Sequence, residues 1–430
     1  MRVGSGILDQ GLFSGSNFLV NILLARWLSP DGYGAFAIAF SLYLGCAGIV
    51  CSLTLEPMMI YGTTDFRDHI NDYLAKVSFA HFGISVLLAV IFLAISLFFG
   101  GQTGKTVSVA ALALPFMLQV WFVRRALYCT MNIAHAAVVS FLYSLILLGG
   151  ISVLKLSGLI SPIYIYEVFV LASLICFMYY RVVAVRRAVV PAGRGTPIQP
   201  ILRKHWNFGK WLIIASVASS VSTLLYAPIL GLMSALQDAA AYKAIQNLSL
   251  PFSQLLATFT LLMLPSMSRV VRREPWTRVC GYIRFMTIGF AGVACLYGVV
   301  MILFGKQILL LLYANAFYVE YYWLIPGFAF VLVVKAINQS LATAIRAFES
   351  TRTILVAKVS TAVVVLIILM IFVPIMNLYG ILLGMCAGVL TELCILVNFF
   401  LRRNGRACLQ RDAFSEDEIR VNESCIGSSN

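Results

Sequence analysis

The chain alternates long apolar blocks with short polar connections, and the blocks are of one characteristic length. About 18 to 20 apolar residues wound as a helix cross the roughly 30 Å hydrocarbon core of a bilayer. Read on that scale, the sequence predicts spans over 5–28, 33–56, 74–99, 107–128, 135–155, 162–184, 208–231, 239–263, 281–304, 321–345, 353–374 and 378–402. A backbone in lipid must satisfy its own polar groups, which leaves helices as the spanning element for blocks this long. The expected fold is an all-α integral membrane protein of about twelve transmembrane helices.

The spans divide six and six. Between the sixth and seventh, Pro191, Gly193, Gly195, Pro197 and Pro200 stand among arginines, a linker composition. The predicted organisation is a first lobe over 1–184, a basic linker over 185–207, a second lobe over 208–402 and a polar, disordered tail over 403–430. A faint repeat relates the lobes, since Asp31, Ala37 and Ile38 align with Asp238, Ala244 and Ile245 at a single offset. Paired six-helix lobes in parallel repeat are a transporter plan with a central path.

Composition sharpens this. Hydrophobic residues make up 61% and charged residues 11%, and the mean hydropathy is +0.93. Soluble domains are far more charged. The net charge of +14 would suggest nucleic acid in a soluble chain. Here the basic residues favour alternate connections: with both termini cytoplasmic, 25 of the 31 lysines and arginines fall on the cytoplasmic side. That is the positive-inside pattern, and it makes membrane topology and lipid, not nucleic acid, the explanation of the charge.

Catalytic and metal signatures are missing. The ten cysteines are scattered without a C-x-x-C, the histidines form no ligand motif, and GGQTGKT at 100–106 has Phe99 where a phosphate loop needs glycine. No cofactor, metal or covalent chemistry is expected. Asp9, Gln10, Asn17 and Asn21 interrupt the first apolar block, so it reads as a span and not as a signal peptide.

Polar groups on spans face other helices or a cavity. Gln10, Ser14, Asn17 and Asn21 share one face of the first span, and Ser216, Ser220 and Thr223 share one face of the seventh. Both stripes are candidates for a cavity lining, with helix-to-helix hydrogen bonding as the alternative. Lys335 lies mid-span in the tenth, too far in to snorkel easily. It is a candidate contact for phosphate or another anionic group, with an ion pair to Glu392 as the alternative. Arg124 and Arg125 could meet an anionic headgroup entering from the cytoplasm, or simply anchor the span. Asp9 could couple transport to protons, and Glu56 and Glu167 are lesser candidates near span ends. Gly11/Gly15 and Gly380/Gly384/Gly388 have the spacing of close helix contacts. Pro115, Pro228, Pro251 and Pro326 should kink their spans.

The twelve-span plan, the basic inner linker, LARWLSPDGYGAFAIAFSL at 24–42 and AAAYKAIQNLSLPFSQLL at 239–256 together resemble the polysaccharide-transporter branch of the multidrug/oligosaccharidyl-lipid/polysaccharide exporter superfamily. That resemblance implies two pseudo-symmetric lobes around a V-shaped cavity. It also implies a flippase turning polyprenyl-diphosphate-linked oligosaccharide across the cytoplasmic (inner) membrane for surface polysaccharide assembly, alongside other assembly proteins. A cation-coupled multidrug antiporter of the same superfamily is the competing transport reading. A membrane polymerase or ligase of the polysaccharide pathway is the enzymatic one.

Overall fold

A computed structural model describes residues 2–187, 197–348 and 350–426, and among them every regular element is helical. The proline- and glycine-bearing part of the expected linker, 188–196, lies outside the described residues. The first bundle comprises α1 (Arg2–Trp27), α2 (Pro30–Val50), a π-helical turn (Cys51–Leu55), α3 (Glu56–Tyr61), α4 (Ile70–Ser96), α5 (Gly101–Cys129), α6 (Ile133–Leu156) and α7 (Pro162–Arg187). The second comprises α8 (Ile198–Leu224), α9 (Tyr226–Met233), α10 (Leu236–Leu248), α11 (Leu250–Arg273), α12 (Trp276–Tyr313), α13 (Ala316–Glu320), α14 (Ile325–Ala347), α15 (Thr351–Met376) and α16 (Leu378–Ile426). Within the first, α1 packs on α6 and α5 on α4 and α7; within the second, α12 packs on α14 and α15 on α16 and α8.

Among the described residues, nine helical segments are long and apolar enough to cross a membrane, or ten if bent α8–α9 counts as one. The other two predicted spans are α1, with its polar stripe, and the two-piece α10–α11. Large apolar side chains such as Leu97, Leu156, Phe79 and Leu311 are exposed around the bundles, as a lipid-facing surface requires.

Prolines explain the breaks unevenly. Pro228 has no N–H to offer Leu224, and α8 stops at Leu224 with a 53° bend into α9. Pro251 sits in the first turn of α11, just past the break at Ser249. The other two prolines do not break a helix: Pro326 starts α14, where its missing N–H costs nothing, and Pro115 lies inside α5, which continues through it. The last helix, α16, extends to Ile426, past the expected end of the last span at 402. Likewise α8 begins at Ile198, inside the expected linker.

Connections at one end of the bundles carry most of the basic residues, and this is called the basic end below. There Lys204 of α8 bridges to Asp65 in the α3–α4 turn at 2.5 Å. The hydrogen bond from Lys204 holds the Asp65 carboxyl below its ordinary value of 3.8. The stabilisation is therefore full above 3.8 and fades as pH falls through the depressed value. A Lys204→Met variant should melt slightly below wild type at pH 7 in low salt, and the two should converge as pH falls below 3.8 through the depressed value. Melting curves across that range check it.

Candidate functional site

Among the described residues, two cavities bear on the expected site residues. The first, about 440 Å³, sits between the bundles and is walled by α1, α2, α5 and α6 on one side and α10 and α11 on the other. The polar stripe of α1 supplies Ser14, Asn17 and Asn21 to its wall. Asn17 and Asn21 donate back to Phe13 O and Asn17 O, both at 2.8 Å, which fixes their rotamers along the helix. Gln10 lies one turn nearer the basic end, donates to Ser14 Oγ at 2.9 Å and is exposed. Aromatic rings fill much of the remaining wall, among them Phe18, Phe40, Tyr43, Trp121 and Tyr143. Lys243 of α10 is the sole formal charge in that wall; it is 4% exposed and donates to Gln246 Oε1 at 2.8 Å.

The second cavity, about 220 Å³, lies within the second bundle, between α8, α9, α11, α14, α15 and α16. Lys335 stands mid-helix on α14 yet is exposed, because its side chain projects into this space. Glu392 also lines it but pairs with Lys358 at 2.7 Å, so the expected Lys335–Glu392 bridge does not form. Among the described residues no side chain is within ion-pair or hydrogen-bond distance of the Lys335 ammonium. Thr223 lines the same cavity.

The structure takes other sequence candidates elsewhere. Ser216 and Ser220 reach neither cavity. They face Gly48 of α2, where an added Cβ would sit 2.5 Å from Ser216 Oγ. A glycine opposite small hydroxyl residues lets α8 and α2 close together, so this half of the stripe is interface between the bundles. Arg124 does not present itself to the surface. It is 8% exposed and grips Asp9 with two hydrogen bonds, Nε to Oδ1 at 3.0 Å and Nη2 to Oδ2 at 2.7 Å. Ser140 completes Oδ1 at 2.5 Å and Tyr128 completes Oδ2 at 2.8 Å. Asp9, fully buried, thus ties α1 to α5 and α6. Arg125, on the other side of α5, is exposed, as are Glu56 and Glu167. Gly11 and Gly15 meet nothing within 4 Å, and Gly15 lines the first cavity. Gly380, Gly384 and Gly388 do receive α15 closely, against Phe372, Leu369 and Val365.

Sequence reasoning missed Lys243 and Lys358. Both fall inside predicted spans but near their starts, so each was assigned to the nearer surface. The structure places each about two turns into its helix, facing inward.

The bundles meet tightly at the end opposite the basic one. Asn247 donates to Tyr33 Oη at 2.9 Å, and the Tyr33 and Tyr318 rings meet edge to face at 6.3 Å. Gly34 of α2 lies against the Leu236 carbonyl of α10, and Ile38 fits against Gly231. Local sequence prepares this contact: Ser29 caps α2 by accepting from Gly32 N–H, Pro30 opens the helix, and Asp31 occupies its first turn. Toward the basic end, α2 and α8 stay together, whereas α1 and α11 part. Gln10 and Gly11 on one, and Gln254, Leu255 and Thr258 on the other, are exposed across the gap. The cleft is open at the basic end and closed at the other.

No family model matches the chain, and no curated protein sequence does. Solved structures do match it in fold. A multidrug resistance transporter of the MATE family, of the MOP superfamily, in an inward-facing conformation, superposes with a TM-score of 0.75 at 11% identity, over 96% of this chain and 98% of its own. The lipid II flippase MurJ in an inward closed conformation gives 0.66 at 14% identity, over 92% and 86%. An outward-facing MATE-family transporter of the same superfamily gives 0.59 at 12% identity, over 95% and 94%. The chain therefore has the all-α membrane fold shared by these transporters.

Proposed function

We propose that this protein is a flippase for polyprenyl-diphosphate-linked oligosaccharide in the cytoplasmic membrane, with both termini and the basic end on the cytoplasmic side. It works by alternating access: the cleft receives cargo from the inner leaflet, and closure there with opening of the Tyr33–Asn247 seal releases it on the other side.

The observation that carries this reading is the polarity of the interior charges. The two carboxylates deepest in the bundles, Asp9 and Glu392, are spent on Arg124 and Lys358. The charges left facing the cavities are ammonium groups, Lys243 in the cleft and Lys335 in the second bundle. A cationic drug would need the opposite arrangement, whereas a diphosphate is matched by it. Aromatic and amide groups beside Lys243 suit sugar rings and hydroxyls.

The apolar, ring-lined character of the cleft and its overlap with multidrug transporters favour the antiporter as the second reading. Proteoliposomes separate the two. Purified protein should move a fluorescent polyprenyl-diphosphate oligosaccharide between leaflets and leave ethidium efflux at background. Lys243→Gln, which keeps a partner for Gln246, should slow flipping roughly ten- to hundredfold, the size of one lost charge-assisted hydrogen bond. Efflux without lipid flipping would sink the proposal.

A further inference from the structure

The space around Lys335 is separate from the cleft and differently built. After Lys358 and Glu392 cancel, its wall keeps one positive charge. It also offers acceptors. Gln339 donates through Nε2 to Thr260 Oγ1 at 3.1 Å, which leaves its carbonyl oxygen for the cavity. Asn338 donates through Nδ2 to the Val389 carbonyl at 2.8 Å, so Oδ1 is the amide atom left over, and it has no hydrogen-bond partner within the protein. Thr361 Oγ1 is likewise unpartnered. Asn338 and Thr361 are only 3% and 4% exposed, and buried polar atoms without partners are rare and costly.

This combination discriminates among ligands. A metal cation would suit the amide oxygens but be repelled by Lys335. An inorganic anion would suit Lys335 but face the Gln339 and Asn338 oxygens and Glu392. A polyol with one negative charge satisfies both sets, its anionic group on the ammonium and its hydroxyls donating to the Gln339 amide oxygen. Tyr226 and Phe252 add ring surface to the wall, the usual complement of a sugar's C–H face. At about 30 Å³ per water, about 220 Å³ is the volume of roughly seven waters, room for a single pyranose unit.

We propose that the cavity around Lys335 binds one acidic sugar unit, a monosaccharide residue carrying a carboxylate, and so selects cargo whose oligosaccharide bears a negative charge. The inference rests on the flippase reading for its biological use, but its binding chemistry can be tested apart from transport.

Binding of methyl β-D-glucuronide and methyl β-D-glucoside to the full chain in nanodiscs is compared by saturation-transfer NMR with competition. The glucuronide is expected to bind at least roughly tenfold tighter, a difference of about 1.4 kcal/mol. Lys335→Gln should erase that preference while melting like wild type, and Lys306→Gln, at the far end of α12, should retain it. Equal affinity for the two glycosides, an unchanged preference in Lys335→Gln, or inorganic phosphate competing as well as the glucuronide would each overturn the proposal. Should Lys335-dependent glucuronide binding occur in a protein that flips no lipid-linked sugar, the inference stands and the flippase reading falls. Should flipping occur with neutral and acidic cargo alike, the reverse holds.

Discussion

Asp9→Ala should lower the stability of the first bundle by about 3–5 kcal/mol, the cost of leaving a buried charge without its partner. The carboxylate receives four hydrogen bonds from three side chains on two other helices. Its removal leaves the Arg124 guanidinium, which lies 3.9 Å above the Phe13 ring with a side chain only 10% exposed, with Gln10 Oε1 at 3.2 Å as its remaining acceptor and no counter-charge, and strips Tyr128 and Ser140 of their acceptor. Purified in detergent, the variant should melt several degrees below wild type, since about 1 kcal/mol moves a bundle of this size by about 2–4 °C. The double variant Asp9→Leu, Arg124→Met should recover much of the loss, because an apolar pair removes both charges together. If Asp9→Ala melts within a degree of wild type, the network does not hold α1 to α5 and α6, and a transport role for Asp9 gains ground.

Gly34→Val should hold the protein away from its basic-end-open state. A Cβ at position 34 would lie 2.2 Å from the carbonyl oxygen of Leu236, an approach that real Cβ atoms do not make, and the obstructing atom is backbone. The contact joins the two bundles and lies within neither core, so the strain is relieved by parting α2 from α10, not by unfolding. A bias of about 1.4 kcal/mol against one of two alternating states shifts their ratio tenfold. Flipping should therefore fall at least roughly tenfold. Spin labels at Gln102 and Glu320, both exposed near that end on opposite bundles, should report a longer distance than in wild type. Gly45→Ala, with nothing within 4 Å of the new methyl, serves as the control. An unchanged label distance together with normal flipping would mean that the two helices do not need to meet this closely.

These two sites show where legibility ended. Asp9 and Arg124 were visible as charges in apolar stretches, but nothing in the sequence joined residue 9 to 124 or 34 to 236. Such pairs depend on how each helix is rotated about its axis and where it crosses its neighbour. The stripe on α8 makes the same point, for one helical face carries Ser216 and Ser220 into a bundle interface and Thr223 into a cavity.

The sequence by itself determined that the chain is helical and membrane-spanning, roughly where its apolar spans lie, and that Pro228 and Pro251 are candidate break points. Those features follow from local physics: a bilayer demands about 20 apolar residues per crossing, satisfied backbone hydrogen bonds, and a break where proline withholds one. Only the tertiary structure decided which charges face a cavity and which are neutralised. Lys335 faces open space because Glu392 reaches Lys358 first, and Arg124 is withdrawn from the surface because α1 brings Asp9 beside it. A charge buried in low dielectric is governed by its nearest partner across helices, and sequence distance carries no information about that partner.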